Sequence, residues 1–377
     1  MYMGGVLCNR EPRRYFQAVT RILVQNLTDT YNSENPILAA KPAHPVEERH
    51  PMNTYEFRPW REGDDLELLQ VWGDPRSEQE AQQRASFGEA TDAPFSRTLV
   101  VTDSGVPIAA GVVTASLLHP QRLWTYLEVA EGHRRAGLGT ELLDRLREIA
   151  AENGQVPNVR VKLAPFSTGE EFAQAKGMKM IQRSRLIHID AGAIPPVPLR
   201  EDENGKPTQA IEDLATGSVE LTSKLWEFYR DSHDWDAPAE VGLGTVNRYF
   251  LSDEARAFGA LVLRDNIQQA EKEGKKGEII AFAVSYHPFE TDPAAALVNE
   301  NTATEILLGY DMQNEGAVEA IMQLLSLLTA QYPVLVEVDD SMTALVEVTD
   351  ALLRAGTASV EGDPTYIYAS DYPGAAS

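Results

Sequence analysis

The sequence predicts a mixed α/β fold made of two similar halves, on three observations. Strand-like and helix-like patterns alternate from residue 55 to near the C-terminus. The order of elements around one strand–helix pair recurs in the second half, which indicates an internal duplication. The length of 377 residues also exceeds the size at which a single hydrophobic core usually stops growing. We therefore expect a mixed sheet in each of two domains.

The first half alternates short strands with three helices. Alternating apolar residues predict strands over 55–60, 97–105, 106–118, 122–130, 158–165 and 178–190. Ser104-Gly105 is a hairpin signal between the second and third of these strands. Helices are predicted over 64–72, with Asp64 or Asp65 as the cap, over 138–153 and over 169–177. The middle helix has one apolar stripe, formed by Leu138, Leu142, Leu143, Leu146, Ile149 and Ala150.

The second half repeats this order of elements. Helical patterns cover 218–231, 247–258, 315–331 and 342–356, and the third of these is apolar on more than one face. Strands are predicted over 259–266, 277–288, 303–311, 333–340 and 364–370, and residues 268–277 are interpreted as a charged loop. We expect a domain over 52–192, a proline-rich and charged linker over 193–207 and a second domain over 208–377.

Residues 1–51 are interpreted as an N-terminal extension outside the folded body. Their basic residues follow the short apolar run, which is the reverse of a secretory signal. Residues 12–27 fit one amphipathic helix with few basic residues on its polar face. Cys8 is the single cysteine, so an intrachain disulfide and a multi-cysteine metal site are excluded. No membrane span is expected, and a reducing cytoplasm is the predicted location.

The net charge of −24 is concentrated in the second half. Residues 193–377 contain 32 acidic and 11 basic residues, a net of −21. An acidic surface repels phosphate backbones, which disfavours nucleic acid as a partner. It would attract a cationic amine, although a solvated acidic face explains the same composition.

The stretch "VAEGHRRAGLGTELL" places glycine and arginine at the start of the helix over 138–153. The first N–H groups of a helix lack internal partners, and the helix dipole favours negative charge there. Gly137 and Gly139 would let a phosphate approach the backbone, and Arg134 and Arg135 would supply charge. The spacing is neither the Rossmann nor the Walker pattern, and a tight turn with solvated arginines is the alternative.

This stretch resembles motif A of the GNAT superfamily of N-acetyltransferases. The family pattern Arg/Gln-x-x-Gly-x-Gly/Ala is present as "RRAGLG", with Val129 at the expected distance before it. "FAQAKGMKM" further on is similar to another family segment, and the resemblance extends from Tyr55 to Asp190. The predicted arrangement is two tandem GNAT-like domains, the second degenerate, similar in layout to mycothiol synthase.

The resemblance implies that the first half binds acetyl-CoA as a cosubstrate. Backbone groups of Leu127, Glu128 and Val129 would pair with the pantetheine arm and polarise the thioester. The implied diphosphate cradle consists of Arg134, Arg135, Ala136, Gly137, Leu138, Gly139 and Thr140. The corresponding stretch of the second half, "GYDMQNEGAVEA", has no arginine, and Asp311 and Glu315 would repel a diphosphate. We therefore expect no acetyl-CoA site there, and the second half would line the substrate cleft or form an interface.

The catalytic groups are less evident from the sequence. Some family members use a glutamate on the strand after motif A and a tyrosine in the next helix, but here Val161–Lys162 and Ala173 occupy those positions. The remaining candidates for proton transfer are Glu128, Glu131 and His133, each of which also fits a structural role, and water is a further possibility. The cluster "YRDSHDWDAP" fits either a substrate-facing loop or a helix-ending loop with capping aspartates; it matches no metal-ligand spacing.

The predicted function is transfer of an acetyl group from acetyl-CoA to a primary amine by direct attack, without a covalent enzyme intermediate. The amine would belong to a small molecule or a peptide N-terminus. Positioning and oxyanion stabilisation would supply most of the catalysis. Because the family's acidic and tyrosine positions are not filled, a non-catalytic acyl-CoA-binding or interaction protein on the same scaffold is the alternative.

Overall fold

The computed structural model describes residues 55–287 and 302–370, which form two compact units. The N-terminal unit contains residues 55–115 and Leu123–Pro157. The C-terminal unit contains Ser116–Arg122, 158–287 and 302–370. The predicted extension over 1–51, its helix over 12–27 and Cys8 lie outside the described residues.

The N-terminal unit is an antiparallel sheet with three helices. Its strands are β1 (Glu56–Pro59), β2 (Thr91–Asp92), β3 (Phe95–Asp103), β4 (Val106–Thr114) and β5 (Leu123–Val129). The sheet order is β1-β3-β4-β5, and β2 pairs with the start of β3. The helices are α1 (Asp64–Trp72), α2 (Glu78–Arg84) and α3 (Leu138–Glu152). Ser104 and Gly105 form the predicted hairpin turn, both with positive φ.

Successive side chains along β4 and β5 point to opposite faces of this sheet. Gly111 pairs with Leu127 on the face covered by α3, and a Cβ on Gly111 would lie 2.5 Å from Leu127 and 2.9 Å from Leu146. Ala110 pairs with Glu128 on the opposite face, where Ala110 packs with Leu68 of α1. The buried leucines of α3 form the predicted apolar stripe. The face to which each β5 side chain belongs is therefore fixed by this register.

The C-terminal unit contains the remaining nine strands. They are β6 (Val159–Leu163), β7 (Lys179–Ile189), β8 (Ala210–Asp213), β9 (Ala257–Asp265), β10 (Glu278–Tyr286), β11 (Thr304–Tyr310), β12 (Val334–Asp339), β13 (Ala358–Val360) and β14 (Thr365–Ser370). Their sheet order is β6-β14-β7-β12-β11-β10-β9-β8, and β13 pairs with β7. The β11–β12 pair is parallel, whereas β14 pairs antiparallel with both β6 and β7.

Six helices complete this unit. They are α4 (Thr168–Ala175), α5 (Val219–Ser232), α6 (Leu243–Phe250), α7 (Ile267–Lys272), α8 (Ala317–Leu328) and α9 (Thr343–Ala355). Buried side chains of α5, α6, α8 and α9 pack with those of β9 to β12 in one hydrophobic core. The predicted linker over 193–207 belongs to this unit, and Ile194 is buried in the same core.

Strand β7 joins the elements of the two sequence halves. The first part of β7 pairs with β14, and its last part pairs with β12 and β13. The C-terminal strand β14 thus lies between β6 and β7, two strands of the first half. The compact units consequently divide the chain at a different place from the predicted linker, and the boundaries of the duplicated domains stay a prediction.

Several local expectations were wrong. The cap of α1 is Gly63, because the Asp64 carboxylate is bonded instead to the Arg58 guanidinium at 2.6 and 2.8 Å. The helical pattern over 247–258 ends at Phe250, and β9 begins within it, at Ala257. The charged loop over 268–277 contains most of α7. Helix α2 and the short strands β2, β8 and β13 were not predicted.

No helix in the described ranges is both long and apolar enough to cross a membrane. The same residues contain no group of three or more histidine, cysteine or acidic side chains placed to hold a metal ion.

Candidate active site

The glycine-arginine turn lies between β5 and α3 in the N-terminal unit. A 3₁₀ turn over Glu131–His133 follows β5, and α3 begins at Leu138. Gly137 has φ of 87°, in the left-handed region, and nothing lies within 4 Å of the position of a Cβ atom. Residues 134–137 are all exposed. The turn therefore leaves the start of α3 open to a ligand.

The backbone at this helix start has donors to offer. Thr140 and Glu141 donate their N–H groups to the Gly137 carbonyl at 3.0 and 3.1 Å. In the described part of the chain, the N–H groups of Leu138 and Gly139 have no such acceptor, as is usual for the first turn of a helix. They point out of a helix end with partial positive charge. Arg135 has φ of 64° and is exposed beside them.

The end of β5 presents backbone groups beside the turn. Ala130 donates its N–H to the Ile108 carbonyl at 2.8 Å. In an antiparallel pair every second residue bonds to the neighbouring strand, so on this side Ala130, Glu128 and Tyr126 bond to β4. The N–H and C=O groups of Leu127 and Val129 consequently point away from β4. Arg134 Nε donates to the Val129 carbonyl at 2.9 Å. This contact ties the first arginine of the motif to the end of the strand.

Glu128 lies on the face of β5 opposite α3, in a cluster with Arg84 and Tyr126. Arg84 donates from Nε and Nη2 to both oxygens of Glu128, at 2.8 and 2.7 Å. The Tyr126 hydroxyl donates to Glu128 Oε2 at 2.7 Å. Burial raises the pKa of Tyr126 and the nearby carboxylate adds to the rise, so its hydroxyl stays protonated. The Glu128 carboxylate is thus held by two donors on defined atoms.

Arg84 has further partners that fix its own position. Its Nη1 donates to the Gly73 carbonyl at 2.6 Å and its Nη2 to Glu80 at 2.8 Å. The guanidinium also lies 5.3 Å from the centre of the Trp72 ring. Burial is the largest single effect and opposes its charge, but the hydrogen bonds to Glu128 together with the attraction of Glu128 and Glu80 raise the pKa of Arg84.

The other two candidates for proton transfer lie in the turn after β5. Glu131 is exposed at the start of the 3₁₀ turn. His133 is half-buried, with Nε2 at 3.3 Å from Asp103 Oδ2 and its ring edge-on to Tyr55. The structure therefore places Glu131 and His133 near the cradle, and Glu128 on a separate face among aromatic side chains.

Comparison with known proteins supports the interpretation of the turn. The sequence profile of the acetyltransferase (GNAT) family matches residues 56–165, which include β5, the turn and α3. Residues 56–165 are a GNAT acetyltransferase domain. This domain belongs to a family of acyltransferase enzymes. No curated protein sequence matches the chain.

Solved structures are similar to a larger part of the chain, and the first of them supports the fold. A GCN5-related N-acetyltransferase from Sphaerobacter thermophilus is 14% identical, with a TM-score of 0.51, and the match covers 84% of this chain and 95% of that one. A tandem GNAT protein from the clavulanic acid biosynthesis pathway is 16% identical, with a TM-score of 0.48 and coverage of 84% and 98%. A GCN5-related N-acetyltransferase from Kribbella flavida is 12% identical, with a TM-score of 0.45 and coverage of 84% and 71%.

The start of α8 follows β11 as the start of α3 follows β5 in the GNAT domain. Here Gly316 donates its N–H to the Asn314 side chain at 2.7 Å. Arg200, from the predicted linker, occupies the space that a Cβ on Gly316 would need and donates from Nε to Glu319 at 2.9 Å. Asp311 and Glu315 are both exposed. The chain's own side chains thus cover this helix start.

The cluster over 229–238 is a buried polar network of the C-terminal unit. Asp236 receives hydrogen bonds from Arg122, at 2.8 Å, and from Arg160, and its carboxylate is fully buried. His119 contacts the Tyr229 hydroxyl through Nε2 and the Asp236 carbonyl through Nδ1. These partners are all protein groups. They favour a structural role over a substrate-facing loop.

A second buried polar group of this unit lies on β6 and β12. Burial lowers the pKa of Lys162, which lies in the Val161–Lys162 stretch discussed above. Burial and the neighbouring Glu337 carboxylate raise the pKa of Asp339 to about 8. Ser184 donates to Glu337 at 2.6 Å. Sequence reasoning did not single out Glu337 or Asp339, although their spacing of two on a strand places both side chains on one face.

Proposed function

We propose that the chain is an acetyl-CoA-dependent N-acetyltransferase with one cosubstrate site, in the GNAT domain, and a primary amine as acceptor. The open turn before α3 is the observation that carries this proposal. It combines a left-handed glycine, two exposed arginines and N–H groups without a helical acceptor at one helix end. These are the features that bind a diphosphate through backbone amides and positive charge.

The described residues fit the proposed cosubstrate. Amides from Arg135 to Gly139 would hold the pyrophosphate, since the Thr140 N–H already donates to the Gly137 carbonyl, and the outward backbone groups of Leu127 and Val129 would pair with the pantetheine arm. The empty space beside Gly137 leaves room for a phosphate oxygen at the backbone. When bound, acetyl-CoA supplies an activated thioester.

The chain's contribution to the reaction would be positioning and charge stabilisation. The amine nitrogen forms a bond to the acetyl carbon, the carbon–sulfur bond breaks, and the sulfur takes up a proton. The backbone N–H groups at the end of β5 would stabilise the developing oxyanion. Only the neutral amine attacks, so the rate should rise with pH through the range in which the acceptor loses its proton.

The roles of the candidate acid–base residues differ in this proposal. Because Glu128 is bound to Arg84 through both oxygens, it suits binding of the acceptor better than proton removal. Glu131 and His133 lie beside the cradle and remain candidates for passing the amine proton to solvent. The acceptor would be a small molecule or a peptide N-terminus, and the acidic second half favours a cationic one.

The C-terminal copy is proposed not to bind acetyl-CoA. Asn314 satisfies the Gly316 N–H, and Arg200 fills the space above it. A diphosphate would also meet Asp311 and Glu315 at the same helix start, where like charges repel. One acetyl-CoA per chain is the expected stoichiometry.

Calorimetric titration of acetyl-CoA into the wild type, Gly137→Glu and Gly154→Glu tests the proposal. Gly154 follows the other end of α3, has φ of +73° and also has nothing within 4 Å of its Cβ position. The two substitutions therefore introduce the same charge and similar backbone strain about 22 Å apart. We expect one site in the wild type, its loss in Gly137→Glu and its retention in Gly154→Glu.

Each contrary result contradicts a different part of the proposal. Two sites per chain would contradict the assignment of the second copy. Equal binding of acetyl-CoA by Gly137→Glu and the wild type would contradict the proposed diphosphate site at the turn before α3. Binding without release of free CoA over a broad panel of primary amines would favour the alternative, a non-catalytic acyl-CoA-binding protein.

A further inference from the structure

We propose that Arg84 is a positioning residue, which holds Glu128 so that its Oε1 atom accepts an N–H of the acceptor and selects a cationic amine over a neutral nucleophile such as an alcohol. The inference rests on the proposed function and concerns the acceptor, on the face of β5 opposite α3.

The hydrogen bonds to Glu128 are unequal on its two oxygens. Oε2 accepts from Arg84 Nε and from the Tyr126 hydroxyl. Oε1 accepts from Arg84 Nη2 alone among the described residues. A carboxylate oxygen has about two acceptor positions, so Oε1 keeps one for a further donor. Among the described residues, a single acceptor position of Glu128 is therefore left without a donor.

Arg84 is fixed before any ligand arrives. Its contacts with Gly73 and Glu80 tie it to the end of α1 and to its own helix. Its side chain is 11% exposed and that of Glu128 is 10% exposed. A bidentate arginine fork sets the plane of the carboxylate as well as its charge. Glu128 therefore has one orientation.

Stability alone does not account for an ion pair at this place. The surroundings are aromatic, since Phe87 packs against both Trp72 and Tyr126. Replacement of a buried ion pair by apolar side chains of similar volume is often neutral or stabilising. A carboxylate kept ionised among rings suits recognition of a positive charge, because the ring faces also attract cations.

The position of Glu128 along β5 connects it with the reaction. It lies between Leu127 and Val129, whose outward backbone groups are proposed to hold the thioester. An N–H bonded to Oε1 would keep the nitrogen oriented in both its ammonium and its amine form, close to the acetyl carbon. An alcohol has one donor and no positive charge, so it would gain less from the same oxygen.

The test compares Arg84→Gln, Arg84→Lys, Glu128→Gln and the double variant Arg84→Gln/Glu128→Gln, with an amine found to be acetylated. Arg97→Gln is the matched control. Arg97 also pairs with a carboxylate (Asp92), donates to backbone carbonyls and covers an aromatic ring (Phe95), but it lies on β3. Circular dichroism and calorimetry with acetyl-CoA establish that each variant is folded and has a working cradle.

We expect Arg84→Gln to raise KM for the amine about tenfold, with kcat and the KM for acetyl-CoA nearly unchanged, since one charge-assisted contact is weakened. Arg84→Lys should restore part of the loss, and Arg97→Gln should behave as the wild type. Glu128→Gln should raise KM similarly, and the double variant should add little, because both changes remove the same contact.

The split between KM and kcat gives a readout that a purely structural role would not change. Loss of folded protein would lower the turnover rate for every amine, whereas loss of the Glu128 orientation should raise the KM for the amine alone.

Two failures are distinguishable. Wild-type turnover with an unchanged KM for the amine in Arg84→Gln would overturn the role of Arg84 and leave the acetyltransferase intact. Additive effects in the double variant would overturn it as well. A wild type that binds acetyl-CoA but acetylates no amine would overturn the proposed function together with this inference.

Discussion

At the scale of single residues, buried polar groups of the C-terminal unit are stabilised by specific partners. Asp236 illustrates this, because two arginines neutralise a carboxylate that no water reaches. His233 stacks on Tyr229 with ring centroids 4.0 Å apart, and its Nδ1 donates to the Tyr229 carbonyl at 2.9 Å. Burial lowers the pKa of His233 to about 3, so the ring is neutral in the folded protein.

This neutral histidine makes folding sensitive to acid. The pKa of His233 is about 3 in the folded chain, against 6.5 for an ordinary histidine. Between these two pH values the histidine is therefore protonated in the unfolded chain and neutral in the folded chain. Stability should consequently fall as the pH drops from 6.5 toward 3, by up to about 1.4 kcal/mol per pH unit for this residue. Urea unfolding of His233→Gln should show a shallower slope over this range.

His188→Gln is the control for that titration. His188 lies in the same unit, on β7, but its side chain is 27% exposed. We expect its slope to match that of the wild type. An unchanged slope in His233→Gln would mean that the ring accepts a proton without loss of the fold.

At the scale of elements, periodicity predicted most strands and helices because their apolar residues repeat at the spacing of the element. Helix α2 was missed, since "EQEAQQR" has no apolar stripe. Its signal is local: Ser77 caps the helix and accepts the Glu80 N–H at 3.1 Å, in the spacing of a capping box. The Arg84 cluster was missed with it, because contact between residues 44 apart depends on tertiary packing.

The turn between β5 and α3 was predictable because all of its parts are close in sequence, whereas its role as a diphosphate cradle stays a prediction. The motif supplies glycine, arginine and a helix start within a few residues, and the structure brings them together in one turn. The sequence also identified Glu128, Glu131 and His133 as candidates for proton transfer. It did not predict which side chains contact Glu128. Those partners lie on α2 and on β5, an arrangement that has no counterpart in a local pattern.

The placement of α3 on the sheet depends on Gly111. A Cβ there would lie 2.5 Å from Leu127 and 2.9 Å from Leu146, both packed side chains. Gly111→Ala should therefore push α3 outward, lower the free energy of unfolding by about 1–3 kcal/mol and weaken acetyl-CoA binding at the helix start. Thermal melting and calorimetry measure the two effects.

Gly259→Ala is the matched control for this prediction. Gly259 is also a strand residue, on β9, but nothing lies within 4 Å of its Cβ position. The substitution should leave acetyl-CoA affinity unchanged. Wild-type affinity and stability in Gly111→Ala would show that the leucines move aside without displacing α3.

At the scale of the whole molecule, the duplication predicted from the sequence does not fix which strands pair. The pattern of β14 identified a strand but contained no information about its neighbours, because any strand with the same alternation offers the same backbone groups. In the C-terminal unit β14 pairs with β6 and β7, whose paired residues lie 181 to 211 positions earlier in the chain. The last strand thus completes a sheet begun in the first half.

This pairing predicts that a side chain near the C-terminus stabilises strands of the first half. Ile367 on β14 is 7% exposed and pairs with Lys162 of β6 and Gln182 of β7. Ile367→Ala should lower the free energy of unfolding by about 2–4 kcal/mol, through lost burial and a residual cavity. Hydrogen exchange should also become faster at the amides of β6 and β7, since their ladders are paired through β14.

Val360→Ala on β13, where the side chain is 41% exposed, is the control, and it should lower the free energy of unfolding by less than about 1 kcal/mol and leave exchange in β6 unchanged. Faster exchange confined to β14 in Ile367→Ala would show that β6 and β7 are held by other contacts.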